Sequence, residues 1–333
     1  MTLQDRPAAG PGDATVPLAL CVPGVDIEAL TPDRLLLGRR DAPEHGWRRT
    51  VYMLSRGRVH PPESAGVSRR RELIARVRTP VAGGHHRVAV LSLKGGVGKT
   101  TTAVGLGTAL AAVRGDRIIA MDANPDHGTL SEKVRVETSA SVRDLLQMAA
   151  QQTPRYADVR AFTSQSVSSR LEILASSRDP ELSEAFTDED YRAVASLLEN
   201  YYSICVTDCG TGLLHSAMGA VLELADQIVL VTIPSVAAAR SASATLDWLE
   251  AHGRGHLARS ATVALSSIRP GGGAGVDVDA LRAHFDKRCR AVVDVPFDPH
   301  LAEDAEVDLD LLAPATRDAF LVLAATVGDG FGG

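Results

Sequence analysis

The segment SLKGGVGKTTT, residues 92–102, sets two lysines, Lys94 and Lys99, five positions apart around a run of glycines. Gly95, Gly96 and Gly98 permit backbone turns closed to bulkier residues, so successive N–H groups can converge on phosphate oxygens. Lys99 is placed to reach the β- and γ-phosphates of a nucleotide, and the Thr100 hydroxyl to ligate Mg²⁺. Val97 and Thr101 belong to the same cofactor-binding stretch. A phosphate loop needs one lysine, so Lys94 asks for a reason of its own.

Such a loop works only between a strand and a helix, because the helix N-terminus adds its own partial positive charge. VAVLSL (88–93) is a continuous apolar run, the pattern of a strand buried on both faces, and TTAVGLGTALAAV (101–113) suits a helix. Two further apolar runs, RIIAMD (117–122) and YSICVTD (202–208), each end in an acid, Asp122 and Asp208. Strands are also expected at 226–233, 261–267 and 290–296, with helices over 141–150, 189–201, 213–225, 235–252, 279–286 and 314–328. The alternation predicts an α/β fold, a doubly wound, mostly parallel sheet with helices on both faces.

Residues 1–87 differ in texture. They carry 14 Arg, no Lys and nine acids, a net +5 against −11 for the remainder. Residues 1–45, rich in Pro, Gly, Asp and Arg, have no sustained period and are expected to be disordered or loosely packed. A short extended or hairpin element is expected over 46–60, with Trp47, Val51, Tyr52 and Leu54 available for packing, and a helix over 68–80, followed by a linker at 82–86. The chain therefore divides at this level into a basic extension, 1–87, and an α/β domain, 88–333. The four cysteines show no zinc-type pairing and suit a reducing cytoplasm, and no apolar run is long enough to span a membrane.

Where the general phosphate-loop pattern has its first glycine, this chain has Leu93, followed by Lys94-Gly-Gly-Val-Gly-Lys-Thr. That arrangement resembles the deviant phosphate loop of the MinD/ParA ATPases, P-loop proteins related to the nitrogenase iron protein. The resemblance runs by motif order through IIAMDANPD (118–126) and ICVTDCGTG (204–212). It implies ATP and Mg²⁺ as cofactors and a homodimer that forms around ATP. It also implies that Lys94 reaches across the interface to the partner's phosphates, joining Lys99 and Asp122 as catalytic residues. Thr100, Asp122 and Asp208 would serve the metal. VPFD (295–298) sits where the family's purine loop lies, which assigns Pro296 and Asp298 to the base. With LDWL and VPFDPHLAED, the chain resembles the actinobacterial MinD-like branch found with type VII secretion systems, implying a cytoplasmic switch acting on a protein partner.

Three departures bear on that expectation. The usual second Asp of the D-x-D motif is Asn124, whose amide can orient water but cannot accept its proton, so turnover should be slow and Asp122 is the remaining water-positioning acid. The family's adenine-reading Asn is replaced by Ser266 and Ser267. The closing helix has one Arg and two Asp nearby, not the basic face of a membrane-surface helix, and is expected to pack against the domain. Asn124 keeps open a non-hydrolysing recruitment module. The Arg-rich stretch 39–78 keeps open a partition ATPase on DNA, although no base-reading module is visible and nucleic acid is not favoured.

Overall fold

The computed structural model describes residues 53–55, 64–124, 128–176, 186–212, 217–269 and 276–332. Most of the expectations for 1–60, together with Cys21, Asp126 and the start of the 213–225 helix, lie outside the described residues. The chain divides into two units, Met1–Ser64 and Ala65–Gly333. The account that follows concerns the second.

Eight strands form one sheet: β1 (His86–Leu91), β2 (Ile118–Ala123), β3 (Ser164–Gln165), β4 (Glu172–Leu174), β5 (Ile204–Cys209), β6 (Gln227–Thr232), β7 (Thr262–Ile268) and β8 (Ala291–Pro296). Their order is β3-β4-β2-β5-β1-β6-β7-β8, and every pairing is parallel except that of the short edge strand β3. The helices are α1 (Ala65–Val77), α2 (Lys99–Val113), α3 (Val142–Ala149), α4 (Tyr156–Arg160), α5 (Asp188–Leu198), α6 (Met218–Leu224), α7 (Val236–Ala251), α8 (Gly255–Ser260), α9 (Val278–Asp286), α10 (Pro299–Ala302) and α11 (Pro314–Gly328).

Because strand side chains alternate between faces, β1 feeds two cores. Ala89 and Leu91 join a cluster with residues of α5, α6, α7 and α9, while Val88 and Val90 join one with residues of α1, α2 and α11. This is the doubly wound α/β fold expected from the alternating pattern. β1 lies where the chain's path across the sheet reverses, with β5 and β2 on one side and β6 to β8 on the other. Open α/β sheets bind ligands outside the carboxyl ends of their strands at such a point.

Helix α2 is buried on most sides, which explains its glycines. A Cβ at Gly105 would overlap the Phe320 ring of α11, and one at Gly107 would press on Leu171. Helical glycine costs roughly 1 kcal/mol relative to alanine, and here it admits two large apolar side chains.

The helix expected at 68–80 runs from Ala65 to Val77 and lies within the compact unit that begins at Ala65. Leu73 and Val77 are buried against the α2–α11 layer. The Arg114 guanidinium donates to the carbonyls of Val77 (2.6 Å) and Thr79 (2.8 Å), and Arg76 pairs bidentately with Asp329. The supposed linker also enters the fold. Its last residue, His86, opens β1, and its backbone N–H donates to the Ser203 carbonyl at 2.8 Å. The closing helix α11 packs into the core, with Phe320, Leu323, Ala324 and Val327 buried.

Candidate functional site

The loop after β1 takes its shape from local bonds. The Ser92 hydroxyl donates to the Lys94 carbonyl (3.0 Å), and the Lys94 N–H donates back to the Ser92 oxygen (3.2 Å). Gly96 (φ 72°) and Gly98 (φ 87°) occupy the left-handed region that disfavours other residues. The Val97 side chain is buried in the core and pins the loop, so its backbone is what it can offer a ligand. Nothing lies within 4 Å of a Cβ built on Gly95 or Gly96, which leaves this stretch of backbone open to an incoming group. Gly98 is the N-cap of α2, and Thr102 donates to its carbonyl at 2.7 Å.

Register then brings the charges together. Asp208 on β5 pairs with Val90 of β1 on one side and with Asp122 of β2 on the other. Lys99, in the first turn of α2, places Nζ 2.6 Å from Asp208 Oδ1, with both side chains buried. Asp122 is also buried, and its two oxygens accept the N–H groups of Asn124 (3.0 Å) and Leu130 (3.2 Å). Burial, then the Asp208 charge, pushes the Asp122 carboxyl up to about 7 against the pull of those N–H groups and Lys99. A group poised there can take a proton near neutral pH. Gly128 backs directly onto it, since a Cβ at 128 would overlap Asp122 Oδ2 and the Ser176 hydroxyl.

A cleft of about 280 Å³ adjoins the loop, between Gly96, Gly98 and Thr101 on one side and Ser266, Ser267 and residues 295–304 on the other. Ser267 has a positive φ (59°), and the β7–β8 register shifts between Leu265 and Ile268. This irregularity puts Ser266 beside the loop, its Oγ 3.1 Å from a Cβ built on Gly98. The Arg269 guanidinium lies 4.3 Å from the centre of the Phe297 ring. Pro296 and Asp298 both line the cleft. The Asp298 carboxylate, however, accepts the N–H groups of His300 (3.0 Å) and Ala313 (2.9 Å). Burial alone would raise this carboxyl, but the hydrogen bonds it accepts outweigh that and hold it below the ordinary carboxylate range.

The fold thus unites Lys99, Asp122 and Asp208, with Gly95, Gly96, Gly98, Thr100 and Thr101 around them. Lys94 is half-buried and makes no ion pair among the described residues. The donor set fits a magnesium nucleotide: open glycine backbone and a helix N-terminus for phosphate, a buried ammonium, and hard oxygens from Thr100 and two carboxylates. Ser92, Gly128 and Leu130 were not legible as site residues. Gly128 and Leu130 act through backbone position and Ser92 through a local hydroxyl turn, and no residue spacing announces any of these.

Residues 88–307 match the CobQ/CobB/MinD/ParA nucleotide binding domain family. The ESX-1 secretion-associated protein EspI of Mycobacterium tuberculosis is 36% identical over 290 residues, 86% of this chain and 42% of that protein. The chain thus spans less than half the length of that relative. The fold is similar to that of a ParA family ATPase from Chlorobium tepidum (TM-score 0.61, 18% identity, 72% of this chain and 98% of that one). It is also similar to that of the septum site-determining protein MinD of Pyrococcus horikoshii complexed with Mg-ADP (TM-score 0.56, 21% identity, 72% and 94%).

Proposed function

The chain belongs to the CobQ/CobB/MinD/ParA nucleotide-binding family, and from that membership we propose that it is a slow Mg-ATPase that dimerises around ATP. One observation carries the reading: Lys99, Asp208 and Asp122 meet at the ends of three adjacent strands, beneath an open glycine loop. In this reading Lys99 holds the β- and γ-phosphates. Asp208 and Thr100 serve Mg²⁺, whose chemistry is to neutralise phosphate charge and orient its oxygens. Asp122 positions the attacking water. Its partner along the motif, Asn124, offers no second carboxylate, which makes turnover slow.

Lys94 is the trans residue of this proposal. Two nucleotides facing one another repel, and an ammonium donated by the second copy offsets that charge and makes assembly sensitive to the γ-phosphate. The dimer then works as a nucleotide-gated switch on a protein partner in the cytoplasm. Similarity to a protein named for ESX-1 secretion supports a partner of that secretion type.

The deciding measurement is solution mass in Mg-ATP and in Mg-ADP. Wild type should double its 35.1 kDa mass with ATP alone, and Lys94→Ala should remain monomeric while still binding nucleotide. A wild-type monomer in both nucleotides ends the dimer proposal. Asn124 favours one second reading, a recruitment module that dimerises without hydrolysis; ATP-dependent dimers that release no phosphate would select it.

A further inference from the structure

Lys133 is a buried cation outside the phosphate loop and both acidic motifs, at the end of the 3-10 turn Leu130–Lys133 that follows β2. Its ammonium donates to the Asp304 carboxylate and, at 2.8 Å, to the Asp304 carbonyl. The Val307 N–H returns a bond to the Lys133 carbonyl at 2.8 Å. The two partners are unlike in exposure. The Lys133 side chain is 4% exposed and that of Asp304 is 87% exposed, so the bond pulls a surface loop down onto an interior anchor.

Asp304 is held at φ 56°, in the left-handed region, and it lines the cleft beside the glycine loop together with Leu301 and Ala302. The other end of the same wall is fixed separately, by Asp298 accepting from His300 and Ala313. At its near end, the turn that carries Lys133 also carries Leu130, whose N–H donates to Asp122 Oδ2. One short turn therefore touches the buried acid on one side and the wall of the cleft on the other.

We propose that Lys133 is a positioning residue for the base end of the nucleotide, tying the Asp122 turn to the cleft wall at Asp304. This rests on reading the cleft as the place of the base. With the tie in place, the wall is ordered before a ligand arrives, and base contacts cost less conformational entropy. Without it, Asp304 can relax from its left-handed geometry, and the Leu301–Asp304 wall must be ordered at the moment of binding. The phosphate loop has its own supports in Ser92 and Val97, so phosphate contacts are unaffected.

The test compares wild type with Lys133→Met and Asp304→Gly in the full chain. Methionine keeps the buried stem and leaves an aspartate that water already solvates, and glycine accepts the left-handed backbone. Titration calorimetry reads affinity for Mg-ATP and for Mg-tripolyphosphate, a probe with no base. Both variants should bind Mg-ATP about 5- to 20-fold more weakly, the range of a modest coupling between sites, with tripolyphosphate affinity within twofold of wild type. Lys133→Arg should recover part of the loss. Mg-ATP affinity within twofold of wild type in both variants overturns the proposal, as do equal losses for the two ligands, which would mark Lys133 as a support of the fold at large. Failure of wild type to bind Mg-ATP at all would instead refute the nucleotide reading on which the proposal rests.

Discussion

At the residue scale, the site depends on one carboxylate whose surroundings leave it no room. Asp122 is buried, shares its neighbourhood with Asp208, and is held by two backbone N–H groups, while Gly128 closes the remaining side. The proposed water-positioning role predicts that Asp122→Asn keeps Mg-ATP binding and loses about 10²-fold in phosphate release, the lower end of what a positioned acid–base group contributes. Gly128→Ala should do the same without touching the acid. A methyl group at 128 must displace either the carboxylate or the loop, and a shift of about 1 Å in a reacting group can cost about 10²-fold. Phosphate release at the wild-type rate in Gly128→Ala, with Asp122→Asn inactive, would show that the loop yields and the carboxylate stays in place. The two acids were visible in the sequence because carboxylates are rare at the ends of apolar strands, and the lysines because they bracket a run of glycines. Gly128 was not, since a single glycine in a polar stretch also reads as an ordinary turn.

At the scale of elements, the strand ends carried most of the information. Continuous apolar runs ending in Asp122 and Asp208 implied parallel neighbours, and parallel register then puts both acids at one edge of the sheet. The short strands β3 and β4 were missed because two or three residues are too few to show a period, and β4 contains a buried Glu172 that reads as surface. Its carboxylate accepts from Tyr156 (2.6 Å), Tyr202 (2.5 Å) and Thr163 (2.9 Å), partners that only the tertiary fold supplies. The first residue of β1 makes a similar point and gives a pH prediction. His86 is buried edge-on to Phe331, and its Nε2 has no hydrogen-bond partner among the described residues. Burial pushes its pKa below the ordinary value, the Asp226 carboxylate works the other way, and His85, Arg290 and Arg114 add to the lowering. The unfolded chain therefore takes up a proton near pH 6.5 that the folded chain does not, so this residue's contribution to stability is present above that pH and is lost as pH falls below it. Urea unfolding of wild type between pH 7.5 and 5 should show a stability slope, at most about 1.4 kcal/mol per pH unit from this group, that is reduced in His86→Phe. Parallel pH profiles for the two proteins would exclude His86 as the source.

At the scale of the whole molecule, composition and packing draw different boundaries. Charge separates residues 1–87 from the rest, and the family match begins at 88, yet the compact unit begins at Ala65. The reason lies in surfaces that no local pattern discloses. Leu73 and Val77 complete the α2–α11 core, and Gly328 lets α11 approach the Arg76 carbonyl so closely that a Cβ there would sit 2.5 Å from it. Two of the arginines that make this helix look like part of a basic tail pair with α11 and the residue after it: Arg76 holds Asp329, and Arg70 meets Asp318 at the surface. Truncation should therefore be sharply position-dependent. A chain beginning at residue 65 keeps α1 and β1 whole and should unfold as one cooperative unit. One beginning at 88 loses two buried apolar side chains, worth together roughly 3–6 kcal/mol, and also the first two residues of β1. Domains of this kind have only about 5–15 kcal/mol in hand, so that fragment should be largely unfolded or aggregated at 37 °C, with or without Mg-ATP. A soluble, cooperatively folded 88–333 fragment with the stability of the 65–333 chain would show that α1 merely rests on the domain, and would restore the boundary that charge alone suggests.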